Sequence, residues 1–130
     1  MDNEMFRKLA RLIAWVRVGI GIVAVTTPSL VLRPWVGEVG DDVSARMLAR
    51  TMGGRDLVLG LGTLRALSVS DAEGRSWVAL SGIADTVDAV ASIVAFSHLP
   101  RRTRLGILAL TLGAAVASTR AAIALDSSTR

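Results

Sequence analysis

Apolar residues along this chain fall into four long runs, separated by short polar stretches where prolines, aspartates or arginines gather. A hydrocarbon core of about 30 Å takes roughly 20 mostly apolar residues as a helix. The runs at 10–27, 44–67, 77–97 and 104–125 meet that length. They are rich in Ala, Leu and Gly and lack apolar–polar alternation, so they read as helices and not as barrel strands. None presents the broad polar face that water would solvate. The pattern predicts an all-α fold, with residues 1–130 forming one domain, a four-transmembrane-helix bundle of an integral membrane protein. A water-soluble bundle is the competing reading, because Arg50, Arg55 and Asp56 interrupt the second run.

The punctuation fits that division. Pro28 and Pro34 stop or kink the first helix, making Ser29 to Asp42 a connection. Asp42 or Ser44 can cap the second helix, and a polar turn from Ser68 to Gly74 follows it. The third ends at His98-Leu99-Pro100, and Arg101, Arg102 and Arg104 precede the fourth. No A-x-A cleavage site follows the first run, so it reads as a retained span and not as a signal peptide. An even number of spans places both termini on one side. Arg7, Lys8 and Arg11 favour the cytoplasm for them, although the arginines before the fourth run nearly cancel that count. Trp35 and Trp77 stand at span edges, where indole rings favour the headgroup zone. The Arg101 to Arg104 cluster reads as an anchor for anionic lipid heads.

Composition sharpens the picture. Of 130 residues, 52% are hydrophobic, and the mean hydropathy of +0.52 exceeds what a soluble domain of this size needs. The pI of about 11.2 raises nucleic acid as a partner. The arginines, however, lie in or beside apolar runs and form no exposed basic stripe with interleaved aromatics, which argues against it. With no cysteine and one histidine, the chain has no thiol–disulfide chemistry, iron–sulfur cluster or bis-histidine haem. No cofactor and no metal are assigned; a carboxylate-only site is the metal chemistry left open. Gly60-Leu61-Gly62 lacks the third glycine and preceding strand of a nucleotide-binding loop and reads as helix packing. His98, beside Pro100 at a span end, reads as an interfacial residue.

The chemistry lies in the charges inside the runs. Steps of three and four residues put Ser81, Asp85, Asp88 and Ser92 on one side of the third helix. A carboxylate facing acyl chains at mid-span costs roughly 2.5 kcal/mol or more, so that side must face protein or a wet cavity. Ala10, Ala14, Arg17, Gly21 and Ala24 align on the first helix, Ala49, Gly53, Asp56, Gly60 and Thr63 on the second, and Gly106, Ala109, Gly113, Arg120 and Ala124 on the fourth. Small residues let helix backbones approach in lipid, so these are packing seams. Arg46 and Arg50 flank the second seam, and Arg55 lies nearly opposite Arg50, facing another subunit unless Gly53-Gly54 unwinds the helix. Arg17, Arg50 and Arg55 balance Asp56, Asp85 and Asp88 in a neutral interior, with Arg65 and Arg120 close enough to span ends to snorkel.

The stretch from Arg50 through Gly53-Gly54-Arg55-Asp56 to Gly60-Leu61-Gly62, with Asp85 and Asp88 in the next span, resembles four-helix bacterial and fungal membrane families of unknown function. Their second span carries Gly-Arg-Asp followed by Leu-Gly, and their third an aspartate. The resemblance implies the four-span fold and a role for Arg55, Asp56 and Asp85, and brings no reaction. DoxX-like membrane proteins share the size without a motif match, and small multidrug exporters carry a first-span glutamate where this chain has Arg17.

Three functions fit an internal Arg/Asp site. The first is a membrane protein, oligomeric with itself and surrounded by lipid, that binds a lipid-like or amphipathic molecule or serves an accessory or structural role; Arg17, Arg50, Arg55, Ser81 and Ser92 would be the binding residues. The second is a membrane-embedded isomerase, cyclase or hydrolase using Asp85, Asp88 and Asp56 as acid/base groups, since neighbouring carboxylates can share a proton. The third is a proton-coupled transporter using the same carboxylates. A purely structural ionic staple is the bland alternative to all three.

Overall fold

The computed structural model describes residues 3–94 and, beyond them, scattered positions between 105 and 123. His98, the Arg101, Arg102 and Arg104 cluster and most of the run at 104–125 lie outside the described residues, as does the Trp35 side chain. Among the described residues every element is helical: α1 Asn3–Thr26, α2 Pro28–Val36, a 3-10 turn Gly37–Asp41, α3 Val43–Val69 and α4 Asp71–Val94. Two helical stretches, Glu4–Thr26 and Asp71–Val94, are long and apolar enough to cross a membrane. α3 is longer than either, but Arg46, Arg50, Arg55, Asp56 and Arg65 keep it outside that class.

The helices outrun the apolar runs. α1 begins at Asn3, not near Ala10, because charged residues beyond the apolar stretch are good helix formers, and Lys8 pairs with Glu4 one turn earlier at 3.0 Å. The expected turn from Ser68 to Gly74 shrinks to Ser70, which serves two helices. Its backbone N–H donates to Ala66 O at 3.0 Å, closing α3, and its Oγ accepts from Glu73 N at 3.1 Å, capping α4. Asp71 and Glu73 then sit in the first turn of α4, where the helix dipole favours carboxylates.

The segment from Ser29 to Asp42 is likewise more ordered than a bare connection. Pro28 opens α2, at a position where a missing N–H costs nothing. Gly37, at φ 62°, ends it in a conformation that L side chains rarely adopt. Asp42 caps α3, accepting from Ser44 N at 2.8 Å and Ala45 N at 3.2 Å. These backbone donors hold its carboxyl below the ordinary aspartate range.

α3 runs antiparallel to both of its neighbours. Against α1, Gly21 lies over Gly53 and Ala14 over Gly60, and Arg7 Nη2 donates to Leu67 O at 2.8 Å. Both helices advance by seven residues per contact, the repeat of helices crossing at a shallow angle. Against α4, Leu67 meets Gly74 and Gly62 meets Trp77. The seams expected for α1 and α3 are these contacts: Ala10, Ala14, Arg17, Gly21 and Ala24 are all buried, as are Ala49, Gly53, Gly60 and Thr63.

The closeness depends on absent side chains. A Cβ on Gly60 would stand 2.8 Å from both Ala14 O and Val18 Cγ2, and one on Gly53 would stand 2.7 Å from Ala24 Cβ. Gly54, next to Gly53, has nothing within 4 Å of such an atom. Gly60→Ala should therefore force α1 and α3 apart and destabilise the protein by about 1–3 kcal/mol. Gly54→Ala should be neutral or stabilise it by up to about 1 kcal/mol through helix propensity. Unfolding of the detergent-solubilised variants measures both, and equal effects at the two glycines would contradict the close approach.

Candidate functional site

Five charged side chains meet midway along the helices. Arg17 projects from α1 between two carboxylates: Nη1 donates to Asp56 Oδ1 on α3 at 2.8 Å, and Nη2 donates to Asp85 Oδ1 on α4 in a shorter contact. Asp56 Oδ1 also accepts from Arg55 Nη2 at 3.3 Å. Arg55 in turn grips Asp88 with both terminal nitrogens, Nη1 to Oδ1 at 2.9 Å and Nη2 to Oδ2 at 2.8 Å. The result is an alternating chain, Asp85–Arg17–Asp56–Arg55–Asp88, that leaves α4, crosses α1 and α3, and returns to α4. Planar guanidinium forks suit this geometry because one group can hold two acceptors at once.

Burial is graded along it. Side-chain exposure is 9% for Arg17 and 6% for Asp85, 17% for Asp56, and 33% for Arg55 with 23% for Asp88. One end is sealed inside the bundle, and the other reaches its surface.

Not every residue named from the sequence joins the chain. Arg50 stands apart, exposed, with Nε donating to Val25 O at 3.2 Å near the end of α1. Among the described residues the balance of three and three is thus replaced by two guanidiniums against three carboxylates. Within the chain Arg55 turns to Asp88 on α4, and α3 does not unwind at Gly53-Gly54, where the helix is continuous. Ser92 Oγ donates to Asp88 O at 2.8 Å, within its own helix. Ser81 is buried beside Arg17. Arg65 and Arg120 are exposed.

A second ionic contact was missed. Arg7 Nη1 lies 3.6 Å from Asp71 Oδ1 while its Nη2 holds the Leu67 carbonyl, tying α1 to the junction of α3 and α4 beside the core of Ala10, Leu67 and Val78. The available signal was spacing, since Arg7 continues the Ala10, Ala14, Arg17 series by one step of three.

Among the described residues, one cavity touches the ionic chain and another lies apart from it. One of about 10 Å³ is lined by Ala10, Ile13, Ala14, Arg17, Thr63, Val78 and Ser81, leaving no room for an organic molecule at the sealed end. The other, a groove of about 360 Å³, is lined by Ala79, Gly82, Ile83, Thr86, Val87, Thr119 and Ile123, none of them in the ionic chain. Among the described residues no group of three or more metal-ligating side chains converges.

Arg17 is the residue whose loss should matter most. Arg17→Gln removes the group shared by Asp56 and Asp85 and should cost about 3–5 kcal/mol, the magnitude for breaking a buried pair from one side. Adding Asp85→Asn should return part of that loss, because one fewer carboxylate then needs the missing guanidinium. Unfolding titrations of both single variants and the double variant measure the coupling, and strict additivity would deny it.

The chain matches no protein-family model, no curated protein and no solved structure. The likeness read from Arg50 to Gly62, with Asp85 and Asp88, thus rests on those residues alone.

Proposed function

We propose that the chain is a four-span integral membrane protein whose ionic chain fixes the register of its helices, and whose open end at Arg55 and Asp88 receives the polar head of an amphipathic molecule. The observation that carries this reading is an inverted distribution of side-chain size. The buried seams consist largely of Ala, Gly, Ser and Thr with Arg17 and Asp85, and Leu67 is the one large side chain that is fully buried among the described residues. Leu12, Trp15, Val16 and Ile20 on α1, Val58 and Leu61 on α3, and Ile83, Val87, Val90 and Ile93 on α4 all point outward. A protein surrounded by water buries such residues; one surrounded by acyl chains packs small residues together and turns large ones out. The fourth span is carried by the run at 104–125.

Binding at the open end follows from that setting. Arg55 and Asp88 lie well within helices about 36–40 Å long, and a partly exposed ion pair at that depth is costly unless a polar group covers it. A carboxylate or hydroxyl head on a single apolar tail supplies that group and leaves its tail among the outward Val and Ile side chains. The sealed end, with its cavity of about 10 Å³, has no space for a substrate beside Asp85, which weighs against the acid/base enzyme. A second copy of the chain could cover the same open end, and it is the alternative that the exposure of Arg55 also favours.

The absence of cysteine allows clean single labels. Spin labels at Val16→Cys, Val58→Cys and Val87→Cys in liposomes should relax strongly with oxygen, which concentrates in the bilayer, and weakly with a water-soluble nickel chelate. The reverse order would end the membrane reading. Native mass spectrometry after mild extraction should find one bound amphiphile in the wild type and none in Arg55→Gln. An empty wild-type monomer would remove the binding part, and a dimer dissociated by Arg55→Gln would install the second copy in its place.

A further inference from the structure

The sealed end of the ionic chain contains polar atoms that no group among the described residues satisfies. Arg17 Nε and Ser81 Oγ are both fully shielded and have no hydrogen-bond partner among the described residues, although every other donor nitrogen of Arg17 is engaged. Ser81 is 4% exposed and Arg17 8%. An unsatisfied N–H or hydroxyl in such a place costs on the order of 1–3 kcal/mol, and the two residues, on different helices, line one cavity. Thr63, 3% exposed, lines the same cavity from α3; its Oγ1 donates to Leu59 O at 2.7 Å and so retains lone pairs as an acceptor.

We propose that this cavity, between α1, α3 and α4, is a binding site for one ordered water molecule bridging Arg17 Nε, Ser81 Oγ and Thr63 Oγ1. Three criteria support it. The volume, about 10 Å³, meets the roughly 10–15 Å³ that a single water requires, and a second would not fit. The partners number three, within the usual two to four for a buried water. Their polarity is complementary: the water accepts from the Arg17 Nε–H and donates to Thr63 Oγ1, and the Ser81 hydroxyl takes whichever role remains. The rest of the lining is apolar, Ala10, Ile13, Ala14 and Val78, which confines the molecule to the polar side.

The water extends the ionic chain by one member. It fixes the third nitrogen of Arg17, so that the guanidinium is held on every edge, and it connects that group to Ser81, one helical turn before Asp85. This site depends on the described bundle alone and not on what covers Arg55.

The test is solution NMR of the protein in detergent micelles with nitrogen-15 arginine. In a rotating-frame experiment selective for water, the Arg17 Nε–H should show a cross-peak of the sign given by dipolar contact, opposite to that of proton exchange, as a water held longer than the tumbling time produces. Ser81→Val fills the cavity with methyl groups and should abolish the cross-peak while the Arg17 resonance persists; Ser81→Ala, a gentler change, should weaken it. Absence of a dipolar cross-peak in the wild type would overturn the proposal, as would a peak undiminished in Ser81→Val, because that water would lie elsewhere.

Discussion

An arginine that must satisfy two carboxylates on two other helices leaves those helices little freedom. Arg17 touches Asp56 on α3 and Asp85 on α4, so sliding α3 along α1 by one residue, about 1.5 Å, would break the first contact, and rotating α4 would break the second. The seven-residue register of α1 and α3 suits this pairing but would not select it alone, since Ala and Gly seams can pack in several registers. The ionic chain makes one of them distinct. Whether or not such a network adds net stability, choosing among packings is the role in which buried polar groups are best attested.

Close packing and ionic pairing depend on each other. Arg17 reaches both carboxylates because Gly21, Gly53 and Gly60 allow backbone to lie on backbone. With larger residues at those positions the helices would separate and the guanidinium would bridge at most one partner. In the other direction, small seams bury little apolar area, so each contributes modestly by the usual measure of about 25 cal/mol per Å². Large apolar side chains are meanwhile turned outward, an arrangement that an apolar surrounding favours. Seam, ion pairs and outward face form one arrangement.

Much of this was legible from spacing. The α1 seam, the α3 seam and the inward side of α4 follow from steps of three and four, because the buried faces of these helices carry small and charged residues. The helix ends were not, since hydropathy marks the apolar thickness while helices such as α1 continue through Glu4, Arg7 and Lys8 beyond it. Pairing was illegible for a different reason. Arg50 and Arg55 are five residues apart, about 140° around the helix, so a single inward face does not hold both. α3, however, lies between α1 and α4, so both directions meet protein: Arg50 finds the Val25 carbonyl at the end of α1, and Arg55 finds Asp88 on α4. Helix periodicity locates faces but carries no information about which neighbour occupies each.

The choice of arginine throughout the chain of charges has a geometric basis. Lysine offers a single ammonium at the end of a flexible stem and would serve one carboxylate well, whereas the guanidinium presents separate donors in a fixed plane. Arg17, which lines the cavity with Ser81, uses that plane to reach two helices, and Arg55 uses it to grip both oxygens of Asp88 while reaching Asp56. Since Asp56 receives both arginines on the same oxygen, it is the joint through which the sealed and open ends are connected. In the proposed reading, a polar head at Arg55 competes with Asp88 and Asp56 together and so acts on this joint before Arg17. Burial is ordered in the same direction, least at Arg55 and greatest at Asp85.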